Sequence, residues 1–128
     1  MAVVTRLVTH VELDDGATDA REISVAARLE AVLADGRGLV LLDDRGWSFS
    51  GGADIWTRIS AEDVRRTARM VVGPDEPFGG RTREQMTADH WGCLAGVLGR
   101  QGVGVDARLL ERLPHDVVLG ERLRARFA

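Results

Sequence analysis

His90 and Cys93 stand three residues apart in the segment TREQMTADHWGCLAGVLGRQG. On a helix this spacing lets an imidazole meet a thiol. Such a pair can form a nucleophilic thiolate or half of a metal site. Cys93 is the only cysteine, so a zinc set would need other ligands, and no metal site or cofactor is expected. Helical spacing also gathers Met86, His90, Cys93, Leu94 and Val97 on one apolar face. That setting suits a structural histidine beside an inert thiol better than a catalytic pair. His90 and Cys93 are therefore the only catalytic candidates, and their own surroundings count against them.

His10 and Glu12 point the same way from a first strand. With His90 or His115 they could make a two-histidine, one-carboxylate set. No spacing brings the four together, and cross-strand polar pairing explains them more simply.

The stretch VVGPDEPFGGRT, residues 71 to 82, holds two of the chain's three prolines. Pro74 and Pro77 stiffen it. Asp75 and Glu76 must be solvated or matched to arginines such as Arg81 and Arg83. Phe78 is expected to pin the loop to the core. Gly79 and Gly80 allow a sharp turn into a capped helix whose first amides could hold an anion. The spacing matches no phosphate-binding loop. The expectation is a rigid loop that presents a recognition surface.

Three further features suggest binding. Trp47, Phe49 and Trp56 would form an exposed aromatic patch if they shared a sheet face free of helices. Trp91 lies beside His90. Ala88, Gly92, Ala95, Gly96 and Gly99 line one side of the same helix. Its three glycines cost about 2 to 3 kcal/mol against alanine. High-GC drift on a tolerant surface would explain them, and so would close approach of a second helix, another subunit or a ligand. Arg122, Arg124 and Arg126 could touch phosphate, but no arginine stripe follows a helix-turn-helix spacing.

The elements that position these residues follow from periodicity. Val3 to Leu13 alternates as a strand. A helix is expected from Ser24 to Gly36, with Val25, Leu29, Val32 and Leu33 as its stripe. A meander should follow: a strand over Leu39–Leu42, a turn at Asp43–Gly46, then Trp47–Phe49 and Ile55–Ile59. Ser60 caps a helix that Gly73 and Pro74 stop. Thr82 caps a long helix from Arg83 to Arg100, and Asp106 caps a short one ending near Leu113. The C-terminal segment reads as an edge strand or as a frayed helix. The fold class is α+β: a small, mostly antiparallel sheet of three or four strands, helices packed on it, and a helix-rich C-terminal half.

Composition sets the outer limits. A chain of 128 residues with 45% apolar and 29% charged residues suits a single soluble domain, residues 1–128, with a core of its own. Mean hydropathy is −0.09, and no apolar run nears the roughly 18 to 20 residues of a membrane span. The N-terminus lacks the apolar segment of a secretory signal. With one cysteine, the expected setting is cytoplasmic. All 17 basic residues are arginine, and lysine, tyrosine and asparagine are absent, as in a high-GC bacterial genome. Net charge is −3: residues 1–80 hold 9 arginines and 14 acids, residues 81–128 hold 8 and 6. That balance disfavours nucleic acid and membrane partners.

With no catalytic motif, the sequence points to a small bacterial accessory protein that binds another protein or itself, as a regulator, adaptor or inhibitor. Its expected binding residues are Trp47, Trp56, Asp75, Glu76, Phe78, Arg81, Trp91, Gly92 and Gly96. The rival is a small-molecule binder or small enzyme with a pocket around His90.

Overall fold

The computed structural model describes residues 3–14, 22–50 and 55–127. Among them the elements run β1 Val4–Leu13, β2 Glu22–Leu33, β3 Gly38–Ser50, α1 Ile55–Arg58, α2 Ala61–Val71, α3 Arg83–Arg100, α4 Ala107–Arg112, β4 His115–Leu119 and α5 Glu121–Ala125. The strands form one sheet in the order β3-β2-β1-β4. The β1–β2 and β2–β3 pairs are antiparallel, and β4 returns parallel to β1. The architecture is α+β, with four of the five described helices in the C-terminal half.

One expected helix is a strand. Ile23, Val25, Ala27, Leu29, Ala31 and Leu33 are all buried, which is a two-residue period. The stripe Val25, Leu29, Val32 and Leu33 fits a helix as well because Ala26, Ala27 and Ala31, which lie between those positions, are small and apolar and leave both periods open. Ser24 caps nothing; its hydroxyl lies 3.5 Å from that of Ser48 across the β2–β3 pair. Gly36, at φ 91°, turns the β2–β3 hairpin instead of ending a helix.

The meander also differs. Asp43–Gly46 is no turn but part of β3. The register steps from Ala27↔Arg45 to Leu29↔Leu42 and again to Glu30↔Val40, so β3 gains one residue on its partner at each step, as in a bulge. Gly46 is required there, because a Cβ would lie 2.6 Å from the Val25 carbonyl oxygen. The expected strand at Ile55–Ile59 is helix α1 over its first four residues. Ile55 is buried and Trp56 and Ile59 half-buried, a helical spacing that also passes for alternation. The Gly51-Gly52 break lies outside the described residues.

The caps expected at Ser60, Thr82 and Asp106 are present. Ser60 and Asp63 form a reciprocal capping box on α2, Thr82 and Gln85 form one on α3, and Asp106 caps α4. The alternation of Arg122, Arg124 and Arg126 with Leu123, Ala125 and Phe127 suits an edge strand, but Arg122 to Ala125 lie in helix α5, which buries Leu123. The edge strand is β4, the preceding residues His115–Leu119.

The core lies between the sheet and the helices. Leu7, Val11 and Leu13 of β1 and the alternate residues of β2 meet Val64, Ala68 and Val72, Leu94 and Leu98, Leu110 and Leu123. On the opposite face Arg6, Ala26, Arg28, Val40, Asp116 and Val118 stay exposed. Among the described residues no helix is long and apolar enough to cross a membrane.

Candidate functional site

The loop after α2 is braced from both sides. Arg45, at the β3 bulge, donates to the Val71 carbonyl and to Asp75, both at 3.2 Å. It thus satisfies a carbonyl of the last turn of α2 and fixes the loop's first acid. Glu76 pairs with Arg83 of α3 at 3.4 Å, and Arg81 pairs with Asp89. The Arg81 amide donates to the Phe78 carbonyl at 3.1 Å, and Gly79 and Gly80 take φ of 60° and 77°. Two left-handed central residues make this a type I′ turn, which needs glycine.

Phe78 does not pin the loop to the core. Its residue is 65% exposed. The ion pairs and the turn hold the loop, so its aromatic ring is free to face outward.

Beside the loop lies an open groove of about 760 Å³ between α3 and α4. Trp91 lines it, with Thr87, Ala88 and Ala107. Charged side chains border it: Arg83 and Glu84 from α3, Arg108 and Glu111 from α4. A second groove of about 390 Å³ shares Arg83, Thr87, Trp91 and Glu111, and adds Arg69, Pro74 and Asp75. The loop is therefore one wall of a continuous depression. Trp91 is only 9% exposed, so most of the indole is core and one part is surface.

Trp91 sits where it does because α3 buries Met86, Trp91, Leu94 and Leu98. That face is turned from the one expected. Cys93 falls outside it and is exposed. No hydrogen bond joins Cys93 to His90 among the described residues, which removes the basis for an activated thiolate. Gly92, Gly96 and Gly99 are exposed too, and nothing but the tip of Arg100 comes within 4 Å of a Cβ built on them. No backbone of the described chain approaches them.

His90 is half-buried behind the loop. Burial lowers its pKa from the usual imidazole value, and Arg45 adds to this; a hydrogen bond to the Val72 carbonyl and the Asp75 charge partly offset it. Its Nε2 is buried without a partner, so the proton bonded to Val72 sits on Nδ1. The ring meets Trp91 edge-on, centroids 5.0 Å apart. The loop thus does approach His90, but His90 lines neither groove.

The other expected clusters come apart. Glu12 turns to the first turn of α5, while His10 lies 3.8 Å from Glu30 on the open sheet face. His115 is on the helix side, 2.6 Å from the buried Thr9 hydroxyl. Among the described residues no three His, Cys, Asp or Glu side chains are placed to hold a metal. The expected aromatic patch is divided as well. Trp47 and Phe49 pack edge-on against each other beside the core, and Trp56 packs on Phe127 under Arg126.

Sequence reasoning missed the groove's second wall. Arg83, Thr87 and Trp91 are spaced by four, so a row along α3 was available to it. The docking of α4 through Ala107, Arg108 and Glu111 carries no such local signal. No protein-family model matches the chain, and no curated protein or solved structure shows significant similarity to it.

Proposed function

We propose that this protein acts by binding another protein chain through Phe78 and the groove over Trp91. The braced exposure of Phe78 carries this reading. A phenylalanine left outside a core adds nothing to folding, yet two ion pairs, two prolines and a type I′ turn hold its loop in one shape. Preorganised aromatic anchors beside small-residue pockets are typical of interface hot spots. Met70 of α2 and Leu109 of α4 are also exposed, at 70% and 54%.

The all-arginine composition supports a bacterial source with a high-GC genome, and the single cysteine supports a cytoplasmic setting. Whether such binding regulates, adapts or inhibits is a property of the partner. The rival pocket at His90 has less support, because the imidazole opens into neither groove.

Photo-cross-linking tests the reading. Glu84, exposed at the groove, is replaced by a diazirine-bearing amino acid, and Ala34, in the β2–β3 turn, serves as control. Position 84 should give a discrete adduct in cells that Ala88→Trp removes. Equal adducts from both positions, or none from position 84, would contradict it.

A further inference from the structure

We infer that His90 is a proton-operated latch on the 73–80 loop: the neutral imidazole holds the root of the loop closed, and the imidazolium releases it. The groups that form the latch converge on the end of α2, where two side chains hold adjacent carbonyls. His90 of α3 donates from Nδ1 to the Val72 carbonyl. Arg45 of β3 donates to the Val71 carbonyl at 3.2 Å, and the same guanidinium holds Asp75 at 3.2 Å. One imidazole and one guanidinium thus pin the point where the loop leaves the helix.

The pin holds only while His90 is neutral. Its Nε2 is buried and has no partner among the described residues. A second proton there would have no acceptor, which is costly for a buried donor. The charged groups that act on the ring are Arg45 from β3 and Asp75 from the loop. Val72 at the end of α2 and Trp91 on α3 bring no charge to it. An imidazolium would therefore repel the Arg45 guanidinium and compete with it for Asp75. Arg45 has a second acid to turn to, Asp44 at 3.8 Å. Movement of the loop and ring towards water relieves the strain. Burial in the closed form lowers the His90 pKa, whereas an opened loop returns it towards the ordinary value of about 6.5. The closed loop then binds fewer protons than the open one, so acid favours opening, by at most about tenfold per pH unit for a single proton. Release of the loop is independent of whether Phe78 contacts a partner.

The test is amide exchange of the isotope-labelled full chain from about pH 7.5 down to about 5, a range that spans the ordinary imidazole value. It is read at Gly73 and Arg81, whose amides donate to the Met70 and Phe78 carbonyls. Protection relative to intrinsic exchange should fall by up to about tenfold per pH unit below about 6.5. His90→Gln keeps a side-chain donor for Val72 but does not titrate, so the fall should vanish even if protection starts lower. His115→Gln removes a half-buried histidine of β4 and should leave the fall in place. Constant protection in the unmodified chain, or a fall that persists in His90→Gln, would overturn the latch. A fall that His115→Gln also removes would mark loosening of the whole fold and overturn it too.

Discussion

The Glu12 carboxylate occupies the space where a side chain at position 120 would begin. From the end of β1 it accepts hydrogen bonds from the amides of Leu13, Arg122 and Leu123, at 2.7, 3.2 and 2.9 Å. It thereby caps α5 from 110 residues away, while the N-cap residue Gly120 has no side chain to offer. Gly120 has φ −63°, which any residue can adopt, so glycine is needed there for room.

Gly120→Ala should therefore destabilise the fold. Its Cβ collides with the Glu12 carboxylate, displacing the cap and crowding β1. Together these should cost about 2 kcal/mol, or roughly 8 °C in Tm for a chain of this size. Glu12→Gln keeps an acceptor and should lose less than Glu12→Ala. Thermal unfolding of the three variants checks this; an unchanged Tm for Gly120→Ala would refute it.

Stability should fall as pH drops below about 6.5, the ordinary imidazole pKa. Burial lowers the pKa of both His90 and His115 in the folded chain. The unfolded chain then binds protons that the folded chain does not, so unfolding is favoured from about pH 6.5 down towards the lowered values. Asp35 and Asp63 are lowered as well, held low by hydrogen bonds at Arg37 and Ser60 respectively. Their contribution is present above the carboxylate range and is lost only in stronger acid. Urea midpoints from pH 7.5 to 5 should decline, and His115→Gln should flatten the decline.

Arg45→Met should loosen the loop while sparing the sheet. It removes the bonds to the Val71 carbonyl and Asp75. Exchange of the Gly73 and Arg81 amides, which donate to the Met70 and Phe78 carbonyls at the two ends of the loop, should speed up about tenfold, the effect of losing roughly 1.4 kcal/mol of local protection. Phe78→Ala should leave that exchange unchanged. Equal exchange in the two variants would mean that Arg45 does not brace the loop.

Gly92→Ala and Gly99→Ala should each stabilise the fold by about 0.5 to 1 kcal/mol. Both lie within α3 with open space where a Cβ would go. Thermal unfolding of the two variants measures this. A loss of stability there would show that this face is packed after all.

These variants mark what the sequence could show. Ser60, Thr82 and Asp106 were legible as caps because a cap and its helix are local. The loop's stiffness was legible from Pro74, Pro77, Gly79 and Gly80 for the same reason. The β2 strand was not, because Val25, Ala26, Ala27, Val32 and Leu33 leave two periods open. Only pairing with Leu13 on one side and Trp47 on the other decides between them. The direction of Phe78 was hidden because it depends on Arg45, 33 residues earlier in the sequence. The groove depends on α4 docking beside Trp91, and Glu12 as a cap depends on β4 returning parallel to β1.

The central claim is that Phe78 and the Trp91 groove form one protein-binding surface. The most direct test is the cross-linking yield from position 84 in the Phe78→Ala background, compared with the unmodified loop. Loss of one buried aromatic anchor should cut the yield about tenfold or more, since such residues carry roughly 2 kcal/mol of binding. The amount of folded protein should be the same. An undiminished yield would mean that the groove works without Phe78, and the account of this surface would be wrong.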